Sequence, residues 1–441
     1  MTSAARTLVA ATPHDTPPAS AWRNLLWAMP LLTATVFSKI AVPPFGSRGI
    51  GIALPILLVV MIAGCITCQF VIETRRFAFG LLTIGLLTLV QLLKNDMFYS
   101  SSILLLAALH LPLLLQFRVG SADINKVVKF FNVLCSLCAL LAIVQFVLQH
   151  FISSPWLFPI ESFIPDGFRI QNFNQEAPLE YESAVMRANG VFMLEPSYLS
   201  QLLAVALVLE VSTLNRVWRI MLYITGMLVS YSGTGFMVLG IALPVVIVAQ
   251  NRWGLLFGMI IAAIVAVILV QFAGEYLYLD KFISRIGEFN STGSSGFARF
   301  VGGFYLFNQF LSDHPIRALF GAGAGMFKEY APLAHYPVAE MPLFKMVLEF
   351  GIAGALLYFS FLFYCLSSSA LPSAVALAVA LTFLLNGLYV PFSHALSLSL
   401  LVWTSRPKSF ATQNKVISTN AAPAAIPHDP LESLLTLREA R

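Results

Sequence analysis

Charge is what this sequence has least of. Lys, Arg, Asp and Glu make up 11% of its 441 residues, against 58% hydrophobic ones. A chain so poor in charge and so rich in apolar residues is excluded from the disordered and ordinary soluble classes and reads as a polytopic membrane protein. Its basic residues nowhere form a stripe with interleaved aromatics, so nucleic-acid binding has no footing. Residues 1–21 hold Pro13, Pro17 and Pro18 but no short apolar core ahead of a small-residue cleavage site. The first span is therefore expected to act as its own insertion signal. Cysteines number five, and four of them form the C-x-x-C pairs Cys65/Cys68 and Cys135/Cys138. Both pairs, and Cys365, lie in apolar runs where thiols serve as small hydrophobes. His314 and His335 lack ligand spacing and a tight carboxylate cluster, so no metal site is expected. No cofactor is expected either, since the Gly-rich pieces match no nucleotide fingerprint.

What is present is a long series of apolar runs. They predict an all-α chain of about twelve transmembrane helices. The runs fall near 24–42, 50–72, 77–93, 98–116, 128–150, 190–210, 219–232, 235–249, 254–273, 343–365, 372–388 and 391–404. Several are short of about twenty residues and would have to tilt or insert only in part. With the N-terminus inside, the inner loops carry Arg75, Arg76, Arg118, Lys126, Arg216, Arg219 and Arg252, and the tail adds Arg406 and Lys408. Short outer loops carry only Arg48 and Lys94. That asymmetry follows the positive-inside rule and puts both termini in the cytoplasm. The expected organisation is a cytoplasmic segment at 1–23, a membrane domain at 24–404, and a cytoplasmic tail at 405–441 whose Ala, Pro, Ser and Thr content favours little fixed structure.

Two outer loops are long, at about 151–189 and 274–342. Loops beyond about fifteen residues in a compact protein are usually functional or disordered, and their aromatic content argues against disorder. The first carries Trp156, Pro159, Pro165, Asp166 and an acidic run with Glu176, Glu180 and Glu182. The second carries Tyr276, Tyr278, Lys281, Arg285, a Ser/Gly patch at 291–296 and an amphipathic piece from Phe297 to Leu311. Arg317, the run Gly321-Ala-Gly-Ala-Gly325 and His335 follow. Trp156, Tyr181, Tyr276 and Tyr278 supply much of that aromatic content.

The stretch Arg187-Ala-Asn-Gly-Val-Phe-Met-Leu-Glu-Pro-Ser-Tyr-Leu-Ser-Gln201 joins the first long loop to the next apolar run. It sets a cation, a carboxylate and the hydroxyls of Ser197 and Tyr198 where water meets the bilayer. Ionisable groups at that depth are costly and are functional candidates. Arg187 reads either as a snorkelling loop residue or as a clamp for phosphate oxygens, which a guanidinium matches bidentately. Glu195 lies roughly two helical turns further on, so the two would share a face, unless Pro196 breaks the helix there. Glu195 reads equally as an arginine's structural partner or as a general base. Ser230-Tyr-Ser-Gly-Thr-Gly235 reads as a tight hairpin turn using glycine's freedom, with Tyr231 a weaker candidate for substrate contact. Arg299 belongs to the amphipathic piece and reads as a solvated-face charge, and Arg285 and Arg317 are candidates for substrate contact. His335 is an ordinary loop histidine unless context gives it a role.

The order of these pieces resembles a known superfamily. An Arg precedes a Phe-Met-Leu-Glu-Pro-Ser span. A Ser-Gly-Phe-Ala-Arg-Phe segment, a Gly-Ala-Gly-Ala-Gly-Met-Phe run and a span opening Lys345-Met-Val-Leu-Glu-Phe-Gly-Ile-Ala-Gly354 follow. Over residues 120–370 this resembles the O-antigen ligase and Wzy-type polysaccharide polymerase superfamily, and is most similar to its exopolysaccharide polymerase branch. The resemblance implies a GT-C-like, metal-independent, inverting glycosyltransferase of the bacterial inner membrane. Its substrate, as both donor and acceptor, would be an oligosaccharide on undecaprenyl diphosphate, and a chain-length regulator protein is a candidate partner. Arg187 and Arg299 fit the paired arginines that neutralise the diphosphate, and Glu195 or His335 is the candidate base. The ligase branch commonly has His-Asn in the long loop; here Tyr336 follows His335, which favours polymerase over ligase. A flippase or other twelve-span transporter is the rival class. Related halves and mid-span charges, which that class calls for, are not evident.

Overall fold

The computed structural model describes residues 21–42, 51–94, 97–117, 121–152, 163–170, 185–254, 290–388 and 390–404, with a few isolated positions of 157–183 and 257–287. The described residues belong to the compact unit Met1–Ser405. Trp156, Tyr181, Tyr276, Tyr278, Arg285, the acidic residues Glu176, Glu180 and Glu182, and the tail lie outside them, as does most of the span expected at 254–273.

The described residues are mostly helical, with one two-stranded antiparallel ladder among them. Its helices are α1 Ala21–Ala34, α2 Ala53–Ile66, α3 Thr74–Lys94, α4 Ser100–His110, α5 Ser121–Leu148, α6 Pro196–Ser212, α7 Val217–Val229 and α8 Gly233–Gln250. Short helices α9 Ser295–Phe300, α10 Gly302–Phe310, α11 Pro315–Phe320 and α12 Phe327–Tyr330 precede α13 Pro342–Ser367, α14 Ser373–Leu385 and α15 Pro391–Leu396, which continues as a π-helix to Val402. Strands β1 Phe70–Ile72 and β2 Leu115–Phe117 pair with Phe70 opposite Phe117.

Among the described residues four helices are long and apolar enough to cross a membrane: Thr74–Lys94, Ile124–Leu148, Gly233–Gln250 and Pro342–Ser367. Seven shorter apolar helices, of 10–17 residues, fall in the other expected runs. At 1.5 Å per residue a 17-residue helix is about 25 Å long, shorter than the roughly 30 Å hydrocarbon core. In the first run, expected at 24–42, the helix stops at Ala34 because Thr33 and Thr35 turn their hydroxyls onto the carbonyls of Pro30 and Leu31, a local bond that competes with helix continuation.

The bundle is built around α6. From Tyr198 to Val211 every residue of this helix is buried, as expected of a helix that is apolar on all sides. It packs against α5, α7, α8 and α14. Gly235 makes the α8 contact close: a Cβ there would stand 2.2 Å from Ser200 Oγ and 2.4 Å from its carbonyl. Around this centre α13 packs on α3 and α14, and α1 on α2 and α15. A second, smaller cluster of Leu306, Leu311, Phe327, Met341, Phe344 and Leu348 gives the segment 300–341 a core of its own.

Helix α13 is broken at Gly351, whose φ of 73° and ψ of −179° no helix accommodates. The break frees carbonyls that must find donors. The Gly-Ala-Gly-Ala-Gly run supplies them: Ala322 N–H donates to Leu348 O at 2.7 Å and Gly323 N–H to Glu349 O at 3.1 Å. Gly321, Gly323 and Gly325 all have positive φ, and a Cβ on Gly321 would lie 2.2 Å from the Glu349 carbonyl. The run is therefore a strap sewn onto a broken helix, and glycine is required by both the conformation and the close approach.

Candidate functional site

The site is set by the turn that leads into α6. Gln145 Oε1 accepts the N–H groups of Asn189 and Gly190 at 3.0 and 3.1 Å, and Asn189 Oδ1 accepts that of Val191 at 3.0 Å. These bonds hold Gly190 at φ 66° and Val191 at φ 69°, a strained value for a β-branched residue. The turn places Pro196 at the first helical position, and a residue before proline is driven into extended backbone. Glu195 accordingly has φ −141° and ψ 159°, and its carboxylate makes no bond to cap its own helix. Arg187 and Glu195 thus do not share a helix face; the helix begins at the proline.

Instead the Glu195 carboxylate turns towards a partner from the other long loop. Arg299 Nη2 lies 3.5 Å from Glu195 Oε2, with the arginine side chain 28% and the carboxylate 10% exposed. Ser197 Oγ donates to the same oxygen at 2.9 Å. Arg299 is carried by α9, whose start is capped by Ser294 Oγ accepting the Phe297 N–H at 3.0 Å. Tyr198, buried, stands one residue beyond Ser197, with its ring edge-on to Phe392 at 5.2 Å and Phe173 at 6.4 Å. Residues 104 positions apart in sequence, from the two separate loops, therefore meet as one ion-paired corner at the positive end of a buried helix.

The other expected residues make contacts of their own. Arg187 is half-buried; its Nε donates to Pro178 O at 3.0 Å and its main-chain N–H to Ala177 O at 2.9 Å. Ala188, next to it, is tied to the Val229 carbonyl at 3.1 Å. Tyr231 has φ 45° and packs its ring on Phe146 at 5.7 Å. Its turn braces α6 from behind, since Ser200 Oγ donates to Ser232 O and Thr234 Oγ1 to Ser197 O. His335 is exposed, with its main-chain N–H donating to Gln309 Oε1 at 3.1 Å. Arg317 is half-buried in α11, where its carbonyl accepts the Gly321 N–H at 2.7 Å. Arg285 lies outside the described residues. The amphipathic piece expected from Phe297 to Leu311 is two helices, parted at Val301.

An apolar slot adjoins the corner, lined in part by Phe37, Ile170, Phe173, Met193, Tyr198 and Phe392. The loop segments closing it are joined by Ser38 Oγ to Phe192 O at 2.6 Å and Ile170 N–H to Lys39 O at 3.1 Å.

Two buried polar clusters lie outside the set of expected site residues. Lys345 Nζ is 2.8 Å from Glu340 Oε1 and 2.9 Å from Glu349 Oε1, and its side chain is 1% exposed. Gln201 and Asn386 exchange amide hydrogen bonds of 2.7 and 3.3 Å. The first carries a readable signal, a Lys and a Glu four residues apart inside an apolar run, the spacing at which an ion pair closes on a helix. The second has none, because its halves come from helices far apart in sequence.

The architecture is that of a helical membrane protein with an acid–base corner where two long loops converge on a buried helix. A family model described as WcaD colanic acid polymerase matches residues 28–404. The chain belongs to that family, which places it among the exopolysaccharide polymerases. No curated protein and no solved structure matches it.

Proposed function

We propose that the protein joins oligosaccharide repeat units carried on undecaprenyl diphosphate into a longer exopolysaccharide, on the periplasmic face of the bacterial inner membrane. The observation that carries this reading is the pairing of Arg299 with Glu195, whose carboxylate also accepts from Ser197, at the head of α6. Without substrate, Glu195 is the counter-charge of Arg299. A diphosphate entering the corner competes for the guanidinium, which suits phosphate better because two oxygens bind its fork at once. Arg187, whose main-chain N–H is bonded to Ala177 O, is the second cation of the clamp.

Release of Glu195 from Arg299 leaves a carboxylate able to accept a proton. The acceptor sugar's hydroxyl oxygen then attacks C1 of the donor sugar from the face opposite the diphosphate. The C1–O bond breaks, its electron pair leaves on the diphosphate, and the hydroxyl proton passes to Glu195. Inversion at C1 follows from the single displacement. No metal is needed where fixed cations stabilise the developing charge. His335 remains the second candidate base, on the segment next to α9.

The test is the pattern of lipid-linked glycans in a host that makes the repeat unit, comparing the intact protein with deletion, Arg299→Ala, Arg187→Ala and Glu195→Gln. Removal of one charge-stabilising donor costs on the order of 10²–10³ in turnover, so each variant should lose the ladder while remaining in the membrane. Long lipid-linked chains that persist after deletion and fail only in final attachment would make the protein a ligase. Repeat units trapped on the cytoplasmic face would make it a flippase.

A further inference from the structure

Arg299 sits on a helix of only six residues, which cannot by itself hold a guanidinium in place. What holds it is the segment 335–341. Ala339 N–H donates to Ala298 O at 2.9 Å, one residue from Arg299. A Cβ on Gly302 would stand 2.3 Å from Pro337 O, so the segment lies flush against the start of α10. The rings of Phe297 and Tyr336 meet at 5.6 Å, and those of Tyr305 and Tyr336 at 4.8 Å. The segment is in turn anchored to the membrane helix α13 by Glu340, whose Oε1 lies 2.8 Å from Lys345 Nζ.

That anchor is not required for charge balance. Lys345 already has Glu349, at 2.9 Å, as a fully buried partner of opposite sign. Glu349 also accepts the Phe327 N–H at 3.3 Å and so ties in the end of the glycine strap. Glu340 is a second carboxylate, one-third exposed, reaching from the loop onto an ammonium that is already neutralised. Its consequence is mechanical. It fixes where the segment 335–341 meets α13, and through Ala339 and Ala298 where Arg299 stands relative to Glu195. We infer that Glu340, acting through its ion pair with Lys345, is a positioning residue for Arg299. This rests on the reading of Arg299 as the diphosphate clamp.

The experiment is a double-mutant cycle on polymerisation rate, with Glu340→Ala and Glu340→Asp measured in the intact protein and in Arg299→Lys, which keeps the charge and residual activity. A misplacement of the order of 1 Å costs up to about a hundredfold. Glu340→Ala should therefore lower turnover by about tenfold to a hundredfold at saturating repeat unit, and Glu340→Asp should restore part of it. In the Arg299→Lys background the same change should cost less than about twofold, because the group it positions is already altered. Full activity of Glu340→Ala, or an equal loss in both backgrounds, overturns the inference. Rates are normalised to membrane-inserted, monodisperse protein. If Glu340→Ala does not accumulate, Glu340→Gln, which keeps the size and an acceptor oxygen, is read through the same cycle under the same criteria. Full activity of Arg299→Lys and Arg299→Ala would count against the clamp itself, an outcome separate from failure of the anchor.

Discussion

Replacing Lys345 by Met tests the charge arithmetic of the buried triad. The substitution keeps the length of the side chain and removes its ammonium. Glu349, 0% exposed, then keeps only main-chain donors, the Phe327 N–H at 3.3 Å and the backbone of Gly325, and no counter-charge on its own helix. Its Oε2 is buried without a hydrogen-bond partner among the described residues. Leaving a buried charge uncompensated costs about 3–5 kcal/mol. Glu349→Gln is a milder insult, since Lys345 retains Glu340 at 2.8 Å; loss of one charge-assisted bond is worth about 1.5–3 kcal/mol. With both changes no unpaired charge is left inside, so the double variant should be more stable than the sum of the two single losses implies, by about 0.5–3 kcal/mol. The assay is the apparent melting temperature in detergent at one protein concentration and scan rate, because unfolding of such a protein is governed by rate as much as by equilibrium. One kcal/mol moves the midpoint of a 150–250-residue domain by about 2–4 °C and a longer chain by less. Lys345→Met should therefore fall by several degrees and further than Glu349→Gln. Equal losses, the reverse order, or strictly additive effects would refute the reasoning.

Other consequences can be measured with the same material. Gly321→Ala and Gly351→Ala place a Cβ 2.2 Å from a backbone carbonyl at positive φ and should abolish accumulation of folded protein, whereas Gly240→Ala, with nothing within 4 Å, should be neutral or gain up to about 1 kcal/mol; equal yields of all three would contradict the strap geometry. Asn386→Leu should cost about 1–3 kcal/mol in thermal stability by leaving the Gln201 amide unpaired in the core, and adding Gln201→Leu should cost less than the second single change alone; additive losses would mean the two amides do not act as a pair. Ser312→Cys, at an exposed position of the segment before α11, should react with a membrane-impermeant maleimide in intact spheroplasts beyond the background of the native cysteines, and absence of labelling would put the Arg299 loop on the wrong side for a periplasmic reaction.

The helical membrane class was decided by sequence alone, because twenty-residue apolar runs have no stable alternative to helices in lipid. Pro196 likewise determined locally that Glu195 stands in extended backbone at a helix start, since the proline ring clashes with a helical residue before it. The motif order around Glu195, Arg299 and Glu349 was enough to point to the polymerase family, with no three-dimensional information. What the linear chain could not decide is which charges meet. Arg187 and Arg299 look alike as loop arginines, but only the packing of α9 against the segment 335–341 brings Arg299 to 3.5 Å from Glu195. The Gly-Ala-Gly-Ala-Gly run gave no local hint of its role, because its partners are carbonyls freed by a helix break twenty-odd residues on. Pairing across such a distance is set by the shape of the whole bundle, in which ionisable and backbone groups excluded from water must find one another.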